Sequence, residues 1–165
     1  ALTLIHTNAF DLLVVPDTFR KLHKIIQEGV GDAGEWKRTN NEIIEVRPGR
    51  PPLVRFRPVD ADKTRTAMEE LCLSYRHALN QEKVPPLVAI ACLCFDFLCI
   101  HPFRDGNGRI ARLLTLLTLY QQGFEVGRYI SLERLMEETK EDYYDDLRRS
   151  SAGVGNVYAP SGRPV

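Results

Sequence analysis

The longest apolar run in the chain spans residues 87–100 and is interrupted by a single charged residue, Asp96. Because apolar residues occupy almost every side of such a helix, the pattern predicts a buried core helix. The run is shorter than the roughly 20 residues that a membrane span requires. Pro86 suits its first turn, and Pro102 ends it because proline disfavours a helical conformation in the residue before it. His101 is therefore predicted at the C-terminal end of a core helix.

A second apolar helix is predicted from about residue 108 to residue 122, where apolar positions recur at helical spacing and Gly123 follows. Earlier in the chain, residues 17–28 form an amphipathic stripe that ends at Gly29. His23 lies within this stripe, so we expect it to pack in the core rather than to react.

Two further segments complete the pattern. Residues 60–80 have a core stripe at helical spacing, with Asp60 placed to cap the N-terminus. Residues 41–57 place β-branched residues on both sides of a Pro/Gly turn, which predicts a short hairpin. Together the elements indicate a mainly α-helical fold with one small β-hairpin.

The loop between the two predicted core helices, residues 101–112, reads HPFRDGNGRIAR. The first turn of a helix leaves backbone N–H groups unpaired and carries the positive end of the helix dipole. Arg109 lies in this turn and Arg112 lies on the same face, so an anion is needed to stabilise them together. Gly106 and Gly108 bring no side chain that would block its approach. The pattern favours a phosphate site at a helix N-terminus.

Asp105 and His101 add chemistry to this predicted phosphate site. A carboxylate next to a phosphate is stable when a divalent cation lies between them, and Mg²⁺ typically takes one or two carboxylates plus phosphate oxygens. Histidine can accept a proton from a hydroxyl nucleophile. The residues therefore predict phosphoryl or nucleotidyl transfer from a metal-bound nucleotide. Taken singly, each feature has a structural alternative: a packed histidine, a glycine turn or a solvated pair of arginines.

The same loop resembles the motif of the Fic family, H-x-F-x-(D/E)-G-N-G-R-x-x-R. Every fixed position is matched here, by His101, Phe103, Asp105, Gly106, Asn107, Gly108, Arg109 and Arg112. Looser similarity extends over about residues 19–147. The resemblance implies a Fic-type helical bundle, in which the hairpin is a flap that lies over the active site.

Most Fic proteins transfer AMP from ATP to a Ser, Thr or Tyr hydroxyl of a protein, and the resemblance implies the same activity here. It makes His101 the general base, Asp105 the Mg²⁺ ligand and Phe103 the anchor of the loop. The residues implied to contact the nucleotide are Gly106, Asn107, Gly108, Arg109, Arg112 and Tyr144. Gly108 stands where the Doc-like branch has a lysine, which favours AMP transfer. Open alternatives are AMP removal, phosphotransfer, and a module that binds nucleotide or partner without turnover.

The resemblance also implies how partners act on this site. The 41–57 hairpin is expected to dock the target protein by strand-like main-chain pairing. Many Fic proteins carry an inhibitory pattern, (S/T)-x-x-x-E-(G/N), which has no full match here. Glu28 and Gly29 come closest, but Lys24 stands where Ser or Thr is required. We therefore expect inhibition from a missing N-terminal helix or from a separate partner, and transfer of AMP rather than its removal.

Composition changes this interpretation little. The 165 residues, 44% hydrophobic and 27% charged, predict one soluble domain over residues 1–149 and an aperiodic tail over 150–165. Equal numbers of basic and acidic residues imply no global attraction to nucleic acid, and neither a membrane span nor a signal peptide is evident. No C-x-x-C pair is present, so a zinc site is not expected. A reduced, cytoplasmic compartment is the simplest expectation for these cysteines. Three of the four cysteines lie on the apolar helix and are expected to be small core residues: Cys92, Cys94 and Cys99, with Cys72 elsewhere.

Overall fold

The computed structural model describes residues 1–45, 49, 51–81, 84–125, 131, 134, 138 and 149. In chain order its elements are α1 (Leu2–Asn8), α2 (Pro16–Ile26), β1 (Ile43–Glu45), β2 (Leu53–Phe56), α3 (Thr64–Asn80), α4 (Pro86–Ile100) and α5 (Asn107–Gln121). Short 3-10 turns lie at Ala9–Asp11 and Ala61–Lys63. The predicted class, mainly α-helical with one small hairpin, is confirmed. None of the described helices is long and apolar enough to cross a membrane. The predicted tail, 150–165, lies outside the described residues.

Helix α4 packs against both α3 and α5, and α2 packs against the same two neighbours. The side chains that these helices bury most completely are large and apolar, so they exclude water from the space between the helices. They include Phe19, Leu22, Met68, Leu93, Phe97, Ile110, Leu114 and Leu117. The limits of α4 and α5 agree with the predicted limits to within one residue at each end. Both helices therefore hold the loop between them against the core.

One face of α4 departs from the prediction that this helix is buried on all sides. Leu87, Val88 and Cys92 are exposed. An apolar composition permits burial, but a helix side is covered only where a neighbouring element packs on it. The prediction that Cys92 is a core residue is therefore wrong, whereas Cys99 is buried and Cys94 is half-buried.

The start of α3 also differs from its prediction. Asp60 precedes the 3-10 turn, and α3 begins at Thr64. The Asp60 carboxylate accepts hydrogen bonds from Asn40 Nδ2 at 2.8 Å and Lys63 Nζ at 3.4 Å. It makes no capping bond to the backbone of the turn. Asn40 Oδ1 instead accepts the Ala61 N–H at 2.8 Å. The predicted cap is wrong because a side chain distant in sequence provides the acceptor.

The two strands form an antiparallel hairpin, as predicted. Ile43 pairs with Phe56 and Ile44 with Val54, with a bulge between Ile43 and Ile44. Ile44, Val54 and Leu53 are exposed, so the hairpin presents apolar side chains to solvent. Within the described residues the sheet has two strands, so each strand has an outer edge on which another strand could pair.

Candidate active site

His101 is the C-cap of α4 and adopts the left-handed backbone conformation, with φ 49° and ψ 60°. A residue with a Cβ is strained there by roughly 1–2 kcal/mol. The turn is closed by a hydrogen bond from the His101 N–H to the Phe97 carbonyl, 2.9 Å long. This conformation ends the helix one residue before Pro102 and turns the chain into the loop.

The His101 imidazole is half-buried and has a defined proton position. Its Nδ1 lies 3.3 Å from the Leu98 carbonyl oxygen. Because a carbonyl only accepts, Nδ1 carries the proton, and Nε2 of the neutral ring keeps its lone pair. Burial lowers the pKa of His101 to about 4, and the Lys37 charge acts in the same direction. The bond to Leu98 and the Asp105 charge oppose that shift. The ring is therefore neutral near pH 7.

Phe103 and Asn107 fix the interior of the loop. Phe103 is fully buried, and its ring stacks on His23 with a centroid distance of 3.8 Å. Asn107 Oδ1 accepts the Phe103 N–H at 3.0 Å, and Asn107 Nδ2 donates to the Phe103 carbonyl at 2.8 Å. The Asn107 side chain is thus used within the loop. What it can offer a phosphate is its backbone N–H.

His23 is the second histidine of this region and lies beneath the loop, buried as predicted. Its Nδ1 accepts the Gly34 N–H at 2.8 Å. The proton is therefore on Nε2, which donates to the Asp105 carbonyl at 3.1 Å. Burial lowers the pKa of His23. Both ring nitrogens are engaged, so the ring joins α2, the 29–34 loop and the motif.

The Asp105 carboxylate lies at the open side of the loop, and its side chain is 76% exposed. Oδ1 accepts the Gly106 N–H at 2.6 Å, and that bond lowers the pKa of Asp105. Oδ2 accepts from Gln27 Nε2 at 3.3 Å and Arg109 Nη2 at 3.4 Å. No cluster of three His, Cys, Asp or Glu that would hold a metal is found among the described residues. One ionised carboxylate fits Mg²⁺ when phosphate oxygens and water complete the shell.

The N-terminus of α5 provides the features of an anion site. Its first intrahelical bond runs from the Ile110 N–H to the Gly106 carbonyl, so the N–H groups of residues 107–109 have no intrahelical acceptor. The first turn contains no acidic residue. Gly106 has φ 81°, which a residue with a Cβ rarely adopts. Among the described residues, a Cβ at Gly108 would meet only Arg112 Nη1, at 3.9 Å. This part of the chain therefore leaves the approach to the helix end open.

The structure brings seven predicted site residues to one loop and helix end: His101, Asp105, Gly106, Asn107, Gly108, Arg109 and Arg112. Tyr144, the remaining predicted nucleotide contact, lies outside the described residues. Among the described residues, Gln27 and Lys37 contact this site and were not predicted to do so. Gln27 follows His23 by one helical turn, so its spacing could have placed it under the motif. Lys37 lies in a loop, and no sequence pattern indicates its role.

Comparison with known proteins agrees with the family resemblance that the motif indicates. Residues 13–119 match the sequence model of the Fic/DOC family. "Protein adenylyltransferase fic-1" of Caenorhabditis elegans is 30% identical over 115 residues, which are 68% of this chain and 21% of that protein. "Protein adenylyltransferase Fic" of Nematostella vectensis is 30% identical over 124 residues, 74% of this chain and 25% of that protein. The chain thus spans about a fifth to a quarter of the length of these relatives.

Solved structures agree on the fold. A Fic family protein from Desulfovibrio desulfuricans G20 has a TM-score of 0.70 and 24% identity, covering 91% of this chain and 44% of that one. A Fic domain containing signaling protein from Bacteroides thetaiotaomicron VPI-5482 has a TM-score of 0.73 and 26% identity. That comparison covers 93% of this chain and 55% of the other.

Proposed function

Because the chain belongs to the Fic/DOC family, we propose that it transfers AMP from ATP to a Ser, Thr or Tyr hydroxyl of a target protein. The observation that carries the proposal is the position of the neutral His101 imidazole. It stands in the same loop as an open helix N-terminus that bears Arg109 and Arg112. Relatives of about 30% identity that are named protein adenylyltransferases support the same reaction.

The reaction begins at His101. Its Nε2 accepts the proton of the target hydroxyl, and the hydroxyl oxygen attacks the α-phosphorus of ATP. The bond from the α-phosphorus to the bridging oxygen breaks, and pyrophosphate leaves. A pKa of about 4 would make His101 a weak base in the nucleotide-free protein. The negative charge of a bound triphosphate raises that pKa, which strengthens the base when substrate is present.

The nucleotide is held by the open side of the motif. The N–H groups of Asn107, Gly108 and Arg109 lie in the first turn of α5 and bind phosphate oxygens, as such groups do at other helix N-termini. Arg109 and Arg112 stabilise the charge that develops on the leaving pyrophosphate. Asp105 would hold Mg²⁺, which would supply neutralisation of the phosphate charge.

The target protein docks on the 41–57 hairpin. A strand of the target pairs with a free edge of the two-stranded sheet through main-chain hydrogen bonds. The exposed side chains of Ile44, Leu53 and Val54 offer an apolar surface beside that edge. Such docking recognises backbone shape more than sequence, so side-chain contacts provide the remaining specificity for the target.

We also propose a cytoplasmic location and control by a second element. All four cysteines are free, which is the state that a reducing compartment maintains. Because Lys24 departs from the inhibitory pattern beside Glu28, inhibition comes from an N-terminal segment outside this chain or from a separate protein.

Labelled nucleotides test the proposal. The purified chain is incubated with Mg²⁺, a cell lysate and ATP labelled at either the α- or the γ-phosphate. We expect the label that depends on His101 to come from the α-phosphate only, and His101→Ala to abolish it. His77→Ala, which alters an exposed histidine of α3, is the matched control. A γ-phosphate label that His101→Ala abolishes would instead show a phosphotransferase, and retained nucleotide without covalent label would show a binding module.

A further inference from the structure

Lys37 is a buried lysine next to the proposed base, and its side chain is not used by the mechanism above. The residue is only 5% exposed and lies in the loop between α2 and β1. Its backbone N–H donates to the Pro102 carbonyl at 2.8 Å. Its Nζ donates to the Ile100 carbonyl at 3.0 Å. One residue therefore binds the carbonyls immediately before and after His101.

These two bonds act on a strained turn. A left-handed residue with a Cβ persists only where its surroundings determine its conformation. For His101 the bond to Phe97 closes the turn from within α4, and the Lys37 bonds fix it from outside the helix. The Ile100 carbonyl is at the negative end of the α4 dipole, where a cation is stabilising.

The Lys37 amine also reaches the base of the hairpin. Nζ donates to Asn41 Oδ1 at 3.0 Å, and Asn41 lies two residues before β1. Asn41 Nδ2 in turn makes a long contact, 3.5 Å, to the Phe103 carbonyl. Burial lowers the pKa of Lys37 to about 8, opposed by the Asp60 charge, so the amine remains mostly cationic at pH 7. Its donors are therefore available to both acceptors.

We propose that Lys37 is a positioning residue: it clamps the peptide groups that flank His101 and couples them to the base of the hairpin. The clamp keeps the ring bonded to Leu98 through Nδ1, which leaves Nε2 free. The consequence for catalysis rests on the proposed AMP transfer. The clamp itself rests on the hydrogen bonds around His101 alone.

Steady-state kinetics of three variants test the catalytic part. Lys37→Met removes the amine but keeps the backbone N–H, Lys37→Arg keeps a cationic donor, and Lys21→Met alters an exposed lysine of α2. Lys37→Met is expected to lower kcat about tenfold to a hundredfold, the size of effect that a small misplacement of a reacting group produces. KM for ATP should stay within about threefold, since the phosphate contacts are intact. Lys37→Arg should restore most of kcat, and Lys21→Met should match the wild type.

Nitrogen NMR of the imidazole rings tests the clamp without any turnover. The wild type is expected to show the Nδ1–H tautomer for His101, assigned by its loss in His101→Ala. Lys37→Met is expected to show a mixture of tautomers. If the wild type transfers no AMP, the proposed function fails, and the tautomer spectrum still decides on the clamp. A Lys37→Met protein with wild-type kcat, or with the wild-type tautomer, overturns the inference.

A second variant covers the case in which Lys37→Met does not fold. Asn41→Ala removes the half-buried acceptor that links Nζ to the hairpin and leaves Lys37 in place. We expect it to lower kcat in the same direction, by about threefold to tenfold, with KM for ATP unchanged. Wild-type kcat in this variant would overturn the coupling to the hairpin.

Discussion

The loop between α4 and α5 has a buried face and an open face, and a histidine lies at each. On the buried face, His23 stacks on Phe103, and both of its nitrogens are bonded. On the open face, His101 stands in the same loop as the exposed Asp105 and bonds Leu98 through Nδ1. Within the described residues, Nε2 of His101 has no hydrogen-bond partner.

The two rings differ in which nitrogen carries the proton rather than in charge. Burial lowers both pKa values, so both rings are neutral near pH 7. The Gly34 N–H donates to the lone pair on Nδ1 of His23. The Leu98 carbonyl instead accepts the Nδ1 proton of His101, so the lone pair of that ring is on Nε2. In this loop, the backbone group that faces Nδ1 decides whether Nε2 carries the proton, as in His23, or the lone pair, as in His101.

The largest expected effect is on the rate of AMP transfer and comes from a substitution on the open face of the loop. His101→Ala removes the free lone pair, so the rate of AMP transfer should fall by about 10²- to 10⁴-fold, the usual contribution of a general base. Bound nucleotide should be retained, because the α5 N-terminus is unchanged. Single-turnover labelling from the α-phosphate measures the rate. A residual rate within about tenfold of the wild type would mean that another group accepts the proton.

The next largest effect is on stability and comes from a substitution on the buried face of the loop. His23→Ala removes a stacked ring and two hydrogen bonds, so the free energy of unfolding should fall by about 2–4 kcal/mol. Urea unfolding measures this change, and His101→Ala is the matched variant, with a much smaller loss expected. If His23→Ala kept its stability but lost its rate, His23 would belong to the reaction instead of the scaffold.

The sequence allowed the ends of α4 and α5 to be predicted because local residues determine them. Pro86 starts α4, Pro102 stops it, and Gly123 follows α5. Seven candidate site residues could be named for a similar reason, because they lie in one contiguous stretch, 101–112, whereas Gln27 and Lys37 lie outside it.

What the sequence did not predict depends on contacts between distant residues. Helix α1 has seven residues with only Ile5 buried, too short a pattern to be periodic. The Lys37 amine meets a carbonyl 63 positions away in the chain, which no spacing rule relates to it. The uncovered side of α4, at Leu87 and Cys92, likewise depends on which elements pack there.

The pH dependence of stability sharpens the comparison of the two rings. The pKa of each is lowered from the ordinary 6.5 in the folded chain, so the unfolded chain binds more protons below that value. The stability that these neutral rings contribute is present above pH 6.5 and is lost as the pH falls toward the folded pKa. Because of His101, the free energy of unfolding should be higher at pH 7 than at pH 5, by on the order of 1–2 kcal/mol.

Two charged neighbours of His101, Asp105 and Lys37, titrate outside this interval. The lowered pKa of Asp105 places its own transition at more acidic pH, and Lys37 titrates near pH 8. His101→Ala should therefore reduce the difference between pH 7 and pH 5. An unchanged difference in this variant would show that the His101 ring is not held neutral by burial.

The smallest effect on stability is expected on the open face, where Arg104 of the loop can be compared with Arg109 of the first turn of α5. Arg109 pairs with Asp105 at 3.4 Å, and Arg104 pairs with Asp32 at 2.8 Å. Their side chains are 45% and 73% exposed, so either Arg→Ala change should cost about 0.5 kcal/mol or less. Arg109→Ala alone should raise KM for ATP, by about five- to tenfold, because Arg109 lies in the first turn of α5. Steady-state kinetics and urea unfolding of both variants measure these changes. Equal KM values in the two variants would mean that phosphate binding depends on the backbone N–H groups of α5 and not on its first arginine.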